Sequence, residues 1–556
     1  MPSDAPRHET AGDAIARGLA DLGVTTVFGV ISIHNMPILD AMARQGRIRF
    51  VAARGEAGAF NMADAYARVS RSLGVVITST GTGAGNAAGA SVEALTAGSP
   101  VLHITTQVDA KFADRDRAAI HDVPRQPEML KAISKGYIRI WQSNTATGLL
   151  DAAARMALTA PMGPVALEIP VDVQRGPCAG AQRLQPIRAP RLVPDPAALD
   201  IAAKLLAKSK RPMLWLGGGA RHACVPARKL ADRGMGIVTS GNGRAVVPEQ
   251  HSASLGAFNM TPEASRVYAS SDLMIVAGSR LRGNETRNND MPLPKPLIQI
   301  DADATQAGRN YPVDVFIHGD TELALAGIAE RLGNTFKPDP QLAYDIAVAR
   351  AQGEGALRVS LGPYQMIADT LLARVPAGRH PWVRDVTISN STFGKRYVQI
   401  AEPHLGVHAL GGGIGQGIPM AIGAALAGES AKTILLAGDG GTMLALGEWM
   451  TVVDERVALV IILMNDQAYG VIQNIQDAQY EGRRHYSAPK MPDFGVLAAA
   501  MQFPHERVRA VEDFAAALDR ALASSGPAIV EIDMVAIGPF AASFAGPPAG
   551  AAGGAR

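Results

Sequence analysis

Short apolar runs that end in glycine and pass into helix-forming segments recur along the whole chain, and this alternation limits the possible folds more than any other feature. Residues 74–80 (GVVITST) lead into Gly81-Thr82-Gly83-Ala84-Gly85-Asn86. Mid-chain, 212–219 (PMLWLGGG), 273–278 (LMIVAG) and 296–301 (PLIQID) repeat the pattern, and 433–441 (TILLAGDGG) and 458–465 (ALVIILMN) repeat it towards the C-terminus. Strands alternating with helices predict parallel sheets covered on both faces, an α/β fold. At 556 residues the chain exceeds one core, since domains run to about 150 residues. Two Pro-rich polar stretches, 185–197 (QPIRAPRLVPDPA) and 337–363, the latter with weak apolar periodicity, read as breaks. They divide the chain into three expected domains, 1–185, 196–335 and 360–540, each a parallel sheet flanked by helices, and leave 541–556 as a Gly-, Ala- and Pro-rich tail expected to be flexible. Residues 163–173 (GPVALEIPVDV) and 526–535 (GPAIVEIDMV) echo each other, so the first and third domains read as versions of one sheet plan.

Composition excludes several partners. With 53 basic against 51 acidic residues the formal charge is +2, which gives no electrostatic reason to expect nucleic acid or an anionic membrane. No run approaches the roughly 20 apolar residues of a membrane span. Cys178 and Cys224 are too few for a disulfide framework and lack zinc-ligand neighbours, so a reducing, cytoplasmic compartment and a small-molecule partner are expected.

Gly438-Asp439-Gly440-Gly441 carries the strongest chemistry. It follows the strand-like TILLA and precedes a helical run, so its glycines allow a phosphate to approach a helix N-terminus. Asp439 would sit at the carboxyl end of its strand, where open α/β sheets bind ligands. The next apolar run ends in Asn465-Asp466-Gln467-Ala468-Tyr469-Gly470, placing a second acid 27 residues on. Two strand ends would thus present oxygen ligands of the kind Mg²⁺ takes together with phosphates.

The stretch GDGGTMLALGEWMTVVDERVALVIILMND resembles the thiamine diphosphate signature shared by the acetolactate synthase, benzoylformate decarboxylase and benzaldehyde lyase family. That resemblance implies thiamine diphosphate and Mg²⁺ as cofactors, with Asp439, Asp466 and the Ala468 carbonyl as metal ligands. Gly438, Gly440, Gly441, Tyr469 and Gly470 are then placed around the diphosphate. The family has Asn where this chain has Asp466, and Asn465 is the rival ligand by residue type. Arg54-Gly55-Glu56 and the small-residue helix after it are similar to the family's activating Arg-His-Glu segment, with Gly55 in place of His. Glu56 is accordingly the expected catalytic acid, sharing a proton with N1′ of the aminopyrimidine.

Further positions follow from the same likeness. Residues 410–424 (LGGGIGQGIPMAIGA) resemble the segment that bends the cofactor, with Ile414 as apolar support and Gly412 beside it. Ser391 and Thr392 are candidate hydroxyl donors to the diphosphate, and Asn86 falls on a family turn close to the cofactor of a partner subunit. His34 and His121 are candidate proton carriers, and imidazole titrates in the useful range. Ile33, Ser79, Val471 and Ile472 are expected to wall the substrate pocket, Ser79 standing where benzoylformate decarboxylase has a histidine. Residues 278–286 (GSRLRGNET) lack the Arg-Phe-Asp-Asp-Arg run linked to FAD, so FAD is not expected. The family's geometry implies a homodimer as minimal active unit and a homotetramer as the assembly.

The implied function is cleavage or formation of a C–C bond next to a carbonyl, as a 2-oxo acid decarboxylase or carboligase acting through a cofactor-bound enamine. A 2-hydroxyacyl-CoA or 2-hydroxy ketone lyase is the alternative. A dinucleotide oxidoreductase is disfavoured because neither glycine run, 81–85 or 411–417, forms GxGxxG followed by an acid about 20 residues on. A non-catalytic cofactor-binding relative would not need Glu56.

Overall fold

The apolar runs become the inner strands of three sheets in the computed structural model, which describes residues 8–544 apart from 181, 335 and 429. The first sheet has the strand order Arg49–Ala52, Thr26–Gly29, Gly74–Thr78, Val101–Gln107, Val165–Pro170, Gly136–Arg139, paired in parallel throughout. Every residue of Gly74–Thr78, Val101–Gln107 and Val165–Pro170 is buried, because helices cover both faces. The central sheet runs Val315–His318, Leu297–Asp301, Leu273–Ala277, Pro212–Leu216, Gly236–Thr239. The third runs Gly406–His408, Trp382–Arg384, Thr433–Gly438, Leu459–Asn465, Ala528–Asp533, His505–Val508. The echoed segments form Val165–Pro170 and Ala528–Asp533, and each is fifth of six strands in its sheet.

The chain condenses into two units. One comprises Met1–Pro190, His408–Ser430 and Thr442–Leu459; the other comprises Arg191–Val407, Ala431–Gly441 and Val460–Arg556. In the first unit the helix Gly417–Ala425 packs on the helix Glu56–Ser70, and a Cβ on Gly423 would overlap the carbonyl of Met62. Small residues on both helices permit this approach, and it ties a C-terminal segment to the N-terminal sheet. The core of that sheet gathers Ile15, Leu19, Val27, Val75, Ile104 and Leu167.

In the second unit the stretch read as a break, 337–363, holds a helix of 21 residues, Gln341–Leu361. Its buried residues Leu342, Ile346, Ala349 and Gly353 make one narrow stripe, too thin to register as strong periodicity. Arg350 secures it by donating to the carbonyls of Glu249, His251 and Ser254. Towards the C-terminus Ala542 N–H donates to Ser360 O at 3.1 Å, and Phe540 stacks on Tyr364. Most of the expected tail, 545–556, lies outside the described residues. Among the described residues no helix is long and apolar enough to cross a membrane.

Candidate active site

Four loops at the carboxyl edge of the first sheet gather the N-terminal candidates. Glu56 begins the helix after Arg49–Ala52, is half-buried, and its Oε2 accepts from Asn86 Nδ2 at 3.1 Å. A side chain at Gly83 would come within 3.1 Å of Glu56 Oε1 and 2.9 Å of Ser79 Cβ, so glycine lets this turn lie against the carboxylate. Ser79 is buried there, its hydroxyl without a partner. Gly81, at φ +62°, bends the turn, and its N–H donates to Gln126 Oε1 at 2.6 Å.

His34 and His121 come together from two of these loops, with Nδ1 atoms 3.5 Å apart and rings edge to face. His34 is buried, and burial followed by the charge of His121 holds its pKa below the ordinary imidazole range. His121 is exposed at φ +67°, its carbonyl packed against Gly81. Ile33 is exposed beside His34, as are Ile31 and Ile120.

The second unit holds the acidic pair. Asp439 opens the helix Asp439–Leu444 directly after Thr433–Gly438, and Asp466 follows the neighbouring strand Leu459–Asn465. Asp439 is 1% exposed; its Oδ1 accepts from Gly440 N–H at 2.8 Å while Oδ2 is buried with no hydrogen-bond donor among the described residues. Burial, then the facing carboxylate of Asp466, pushes Asp439 up to about 7. Asp466 is raised as well, chiefly by burial, and its Oδ1 accepts from Ala468 N–H at 3.2 Å. Gly440 packs its Cα against the Tyr469 ring, with a hypothetical Cβ 2.5 Å from ring carbons and 3.8 Å from Ala468 O. A Cβ on Gly470 would overlap Asp466 Oδ2. Gly438 lies near Thr387.

Two facing carboxylates with an orphaned buried oxygen, near a backbone carbonyl and a glycine-lined helix start, fit a divalent cation bearing a diphosphate. Among the described residues no group of three or more His, Cys, Asp or Glu could hold a metal, so the remaining ligands would have to be carbonyl and phosphate oxygens. Asn465 has its amide committed at both ends, Nδ2 donating to Glu531 at 2.8 Å and Oδ1 accepting from Gln467.

Other expected positions are more open. Ile414 is 41% exposed, Gly412 sits at φ +81°, Val471 is half-buried and Ile472 exposed. Thr392 donates its hydroxyl to Ile388 O at 2.9 Å, which commits that proton inside the turn, and Ser391 is half-buried. Ser389, fully buried with its hydroxyl unpartnered, was not singled out from the sequence. Glu93 was also missed. It accepts from Leu410 N–H at 2.7 Å and Gly411 N–H at 2.6 Å, holding the glycine run that carries Ile414, while Arg68 neutralises it. A lone acid in the Ala-rich helix Ala88–Ala97 was the signal available.

The thiamine pyrophosphate enzyme N-terminal TPP binding domain matches residues 9–129, the central domain 199–328 and the C-terminal TPP binding domain 388–532. The chain belongs to the thiamine pyrophosphate-dependent enzymes of the acetolactate synthase family. It is 29% identical over 539 residues to a Pseudomonas aeruginosa protein whose name assigns it as a 2-ketoarginine decarboxylase (AruI), covering 96% of this chain and 95% of that one. It is 27% identical over 554 residues to the acetolactate synthase of Mycobacterium avium, covering 94% and 87%. A solved structure from Mycobacterium smegmatis, assigned as a thiamin diphosphate-dependent enzyme, shares the fold with a TM-score of 0.79 at 22% identity, covering 95% of this chain and 99% of that one.

Proposed function

We propose that this enzyme uses thiamine diphosphate with Mg²⁺ to cleave a 2-oxo acid, releasing CO₂, and passes the remaining acyl carbanion equivalent to a proton or to a second carbonyl compound. The orphaned oxygen of Asp439 facing Asp466 supports this best, because two acids buried together, each with its proton affinity raised by burial and that of Asp439 raised further by Asp466, call for a cation. Asp439, Asp466 and the Ala468 carbonyl would hold Mg²⁺, and Gly438, Gly440, Gly441, Tyr469 and Gly470 would line the diphosphate. When bound, the cofactor supplies the electron sink for C–C cleavage.

Glu56 would hold a proton at the pyrimidine N1′, with Asn86 orienting its carboxylate. Ile414 would support the bent cofactor, with Gly412 giving its loop room. Ser391 and Thr392 would lie on the diphosphate side as hydroxyl donors, Thr392 by turning its O–H away from Ile388 O. His34 and His121, as a pair, would deliver and remove protons at the substrate, and Ile33, Ser79, Val471 and Ile472 would line its pocket, Val471 and Ile472 as an apolar wall. Glu56 and the metal site of different protomers would complete one another in a homodimer, assembled further into a homotetramer. The three expected domains, 1–185, 196–335 and 360–540, would serve as pyrimidine-binding, central and diphosphate-binding modules.

Purified protein given thiamine diphosphate and Mg²⁺ should release CO₂ from at least one of a set of short, branched, aromatic and guanidino-bearing 2-oxo acids. The guanidino acid belongs in the set because of the 2-ketoarginine relative. Release from none, with cleavage of a 2-hydroxy ketone or 2-hydroxyacyl thioester, would replace the decarboxylase reading by a lyase of the same family.

A further inference from the structure

Glu448 opens the helix Glu448–Asp454 and is 5% exposed, yet its carboxylate reaches 394 residues back to the turn before Glu56. Oε1 accepts from the backbone N–H groups of Arg54 and Gly55, each at 3.1 Å. Oε2 lies 3.2 Å from Arg54 N and accepts from Thr451 Oγ1 at 2.7 Å. Gly55 is the N-cap of the helix that Glu56 begins, and it has no side chain with which to cap. Glu448 accepts from the N-cap N–H, as the N3 acid does in a capping box, and places a negative charge at the helix start. Gly58 makes the approach possible, since a Cβ there would overlap Glu448 Oε1. Arg54 closes the clamp by pairing its side chain with Asp454, at the far end of the same short helix.

We propose that Glu448 is a positioning residue for Glu56, setting where the first turn of the helix, and with it the Glu56 carboxylate, stands. This rests on the reading of Glu56 as the acid that shares a proton with the cofactor. Among the described residues the Glu56 side chain has a single side-chain hydrogen bond, from Asn86, so its placement is decided largely by its backbone. A misplacement of about 1 Å in such a group costs on the order of 100-fold.

Three variants separate positioning from bulk stability. Glu448→Gln keeps one oxygen able to accept from both N–H groups, with its NH₂ towards Thr451. Glu448→Asp is one methylene short. Gly58→Ala leaves the Glu448 side chain in place but drives a methyl group against its Oε1. In the protein loaded with thiamine diphosphate and Mg²⁺, solvent deuterium exchange at the thiazolium C2 is followed by acid quench and NMR. Cofactor affinity and amide exchange of a peptide spanning 51–60 are measured alongside. Glu448→Asp and Gly58→Ala should slow C2 exchange about 10- to 100-fold, speed amide exchange at residues 54–57 and leave cofactor affinity within about 3-fold. Glu448→Gln should stay within about 3-fold of the parent on every readout, and Glu448→Asp should add less than about 2-fold in a Glu56→Gln background. Parent-like C2 exchange in Glu448→Asp, or an undiminished further loss on top of Glu56→Gln, overturns the positioning role. A Glu56→Gln variant that exchanges C2 at the parent rate instead removes the role of Glu56 itself.

Discussion

The N-terminal and C-terminal sheets are built alike and finished differently. Each places a buried glutamate on its fifth strand, Glu168 or Glu531, and braces it with an arginine from the edge strand, Arg139 or Arg507. Each glutamate hands its other oxygen to an amide that serves a functional tip. Glu168 Oε1 accepts from Gln126, which in turn holds Gly81, and Glu531 Oε1 accepts from Asn465, next to Asp466. Beyond that shared brace the tips diverge. The N-terminal sheet ends in one half-buried acid, Glu56, with an amide donor beside it, whereas the C-terminal sheet sinks two acids against each other. A carboxylate with a donor is suited to sharing a proton, and a pair of repelling carboxylates is suited to a cation.

The contrast breaks most visibly at Asp439. Asp439→Ala should abolish Mg²⁺-dependent binding of thiamine diphosphate, at least about 100-fold in affinity by titration calorimetry, because the proposed direct metal ligand is lost. Cofactor bound at parent affinity in this variant would take the metal away from the C-terminal tip. Glu56→Gln should do the reverse, leaving affinity within a few-fold while turnover falls on the order of 100-fold or more, the usual weight of a positioned acid. Equal loss of binding and turnover would mean that Glu56 holds the cofactor and does not activate it.

The two braces give a finer comparison. Glu531 is kept below the usual carboxylate range: burial pushes it up, and bonds from His505, Asn465 and Arg507 outweigh that. Glu531→Gln should weaken cofactor affinity in the presence of Mg²⁺ about 10-fold, because Glu531 holds Asn465, the residue that leads into the proposed ligand Asp466. Glu168→Gln should instead appear as lost unfolding stability, about 3 kcal/mol, because it takes from Arg139 its buried counter-charge, in a site with no exposure for the glutamate. If both variants show only the stability loss, the C-terminal brace has no link to the metal.

How much of this was legible in the sequence follows from the range of each interaction. Strands such as Thr433–Gly438 and Leu459–Asn465 announce themselves in consecutive apolar residues, and Asp439 and Asp466 are read from the turns that end them. Even the echo of GPVALEIP and GPAIVEID held, because it reflects the same strand in the same sheet position. What stayed hidden depends on distant partners. Glu93 and Glu448 look like ordinary helix acids until the fold brings Leu410 and Gly411 to one, and Arg54 and Gly55 to the other. The helix Gln341–Leu361 stayed hidden because only a thin stripe of it is buried.

The smallest effect concerns a residue without a part in the chemistry. His103 sits fully buried on Val101–Gln107, bonded to Thr78 Oγ1 at 2.9 Å, and burial pushes its pKa down to about 3. In the unfolded chain it titrates near 6.5. Its folded pKa is therefore depressed, so its stabilising contribution is fully present above about pH 6.5 and drains away as pH falls towards about 3. His103→Gln should flatten the loss of unfolding stability between pH 6.5 and pH 4.5 while leaving cofactor affinity at pH 7.5 unchanged, as read by denaturant titration at each pH. Since His34 is depressed too, by burial first, some acid sensitivity of the N-terminal unit should persist in that variant. An unaltered slope would mean that proton uptake at His103 does not limit this sheet, and that its acid weakness lies with His34 at the loop ends.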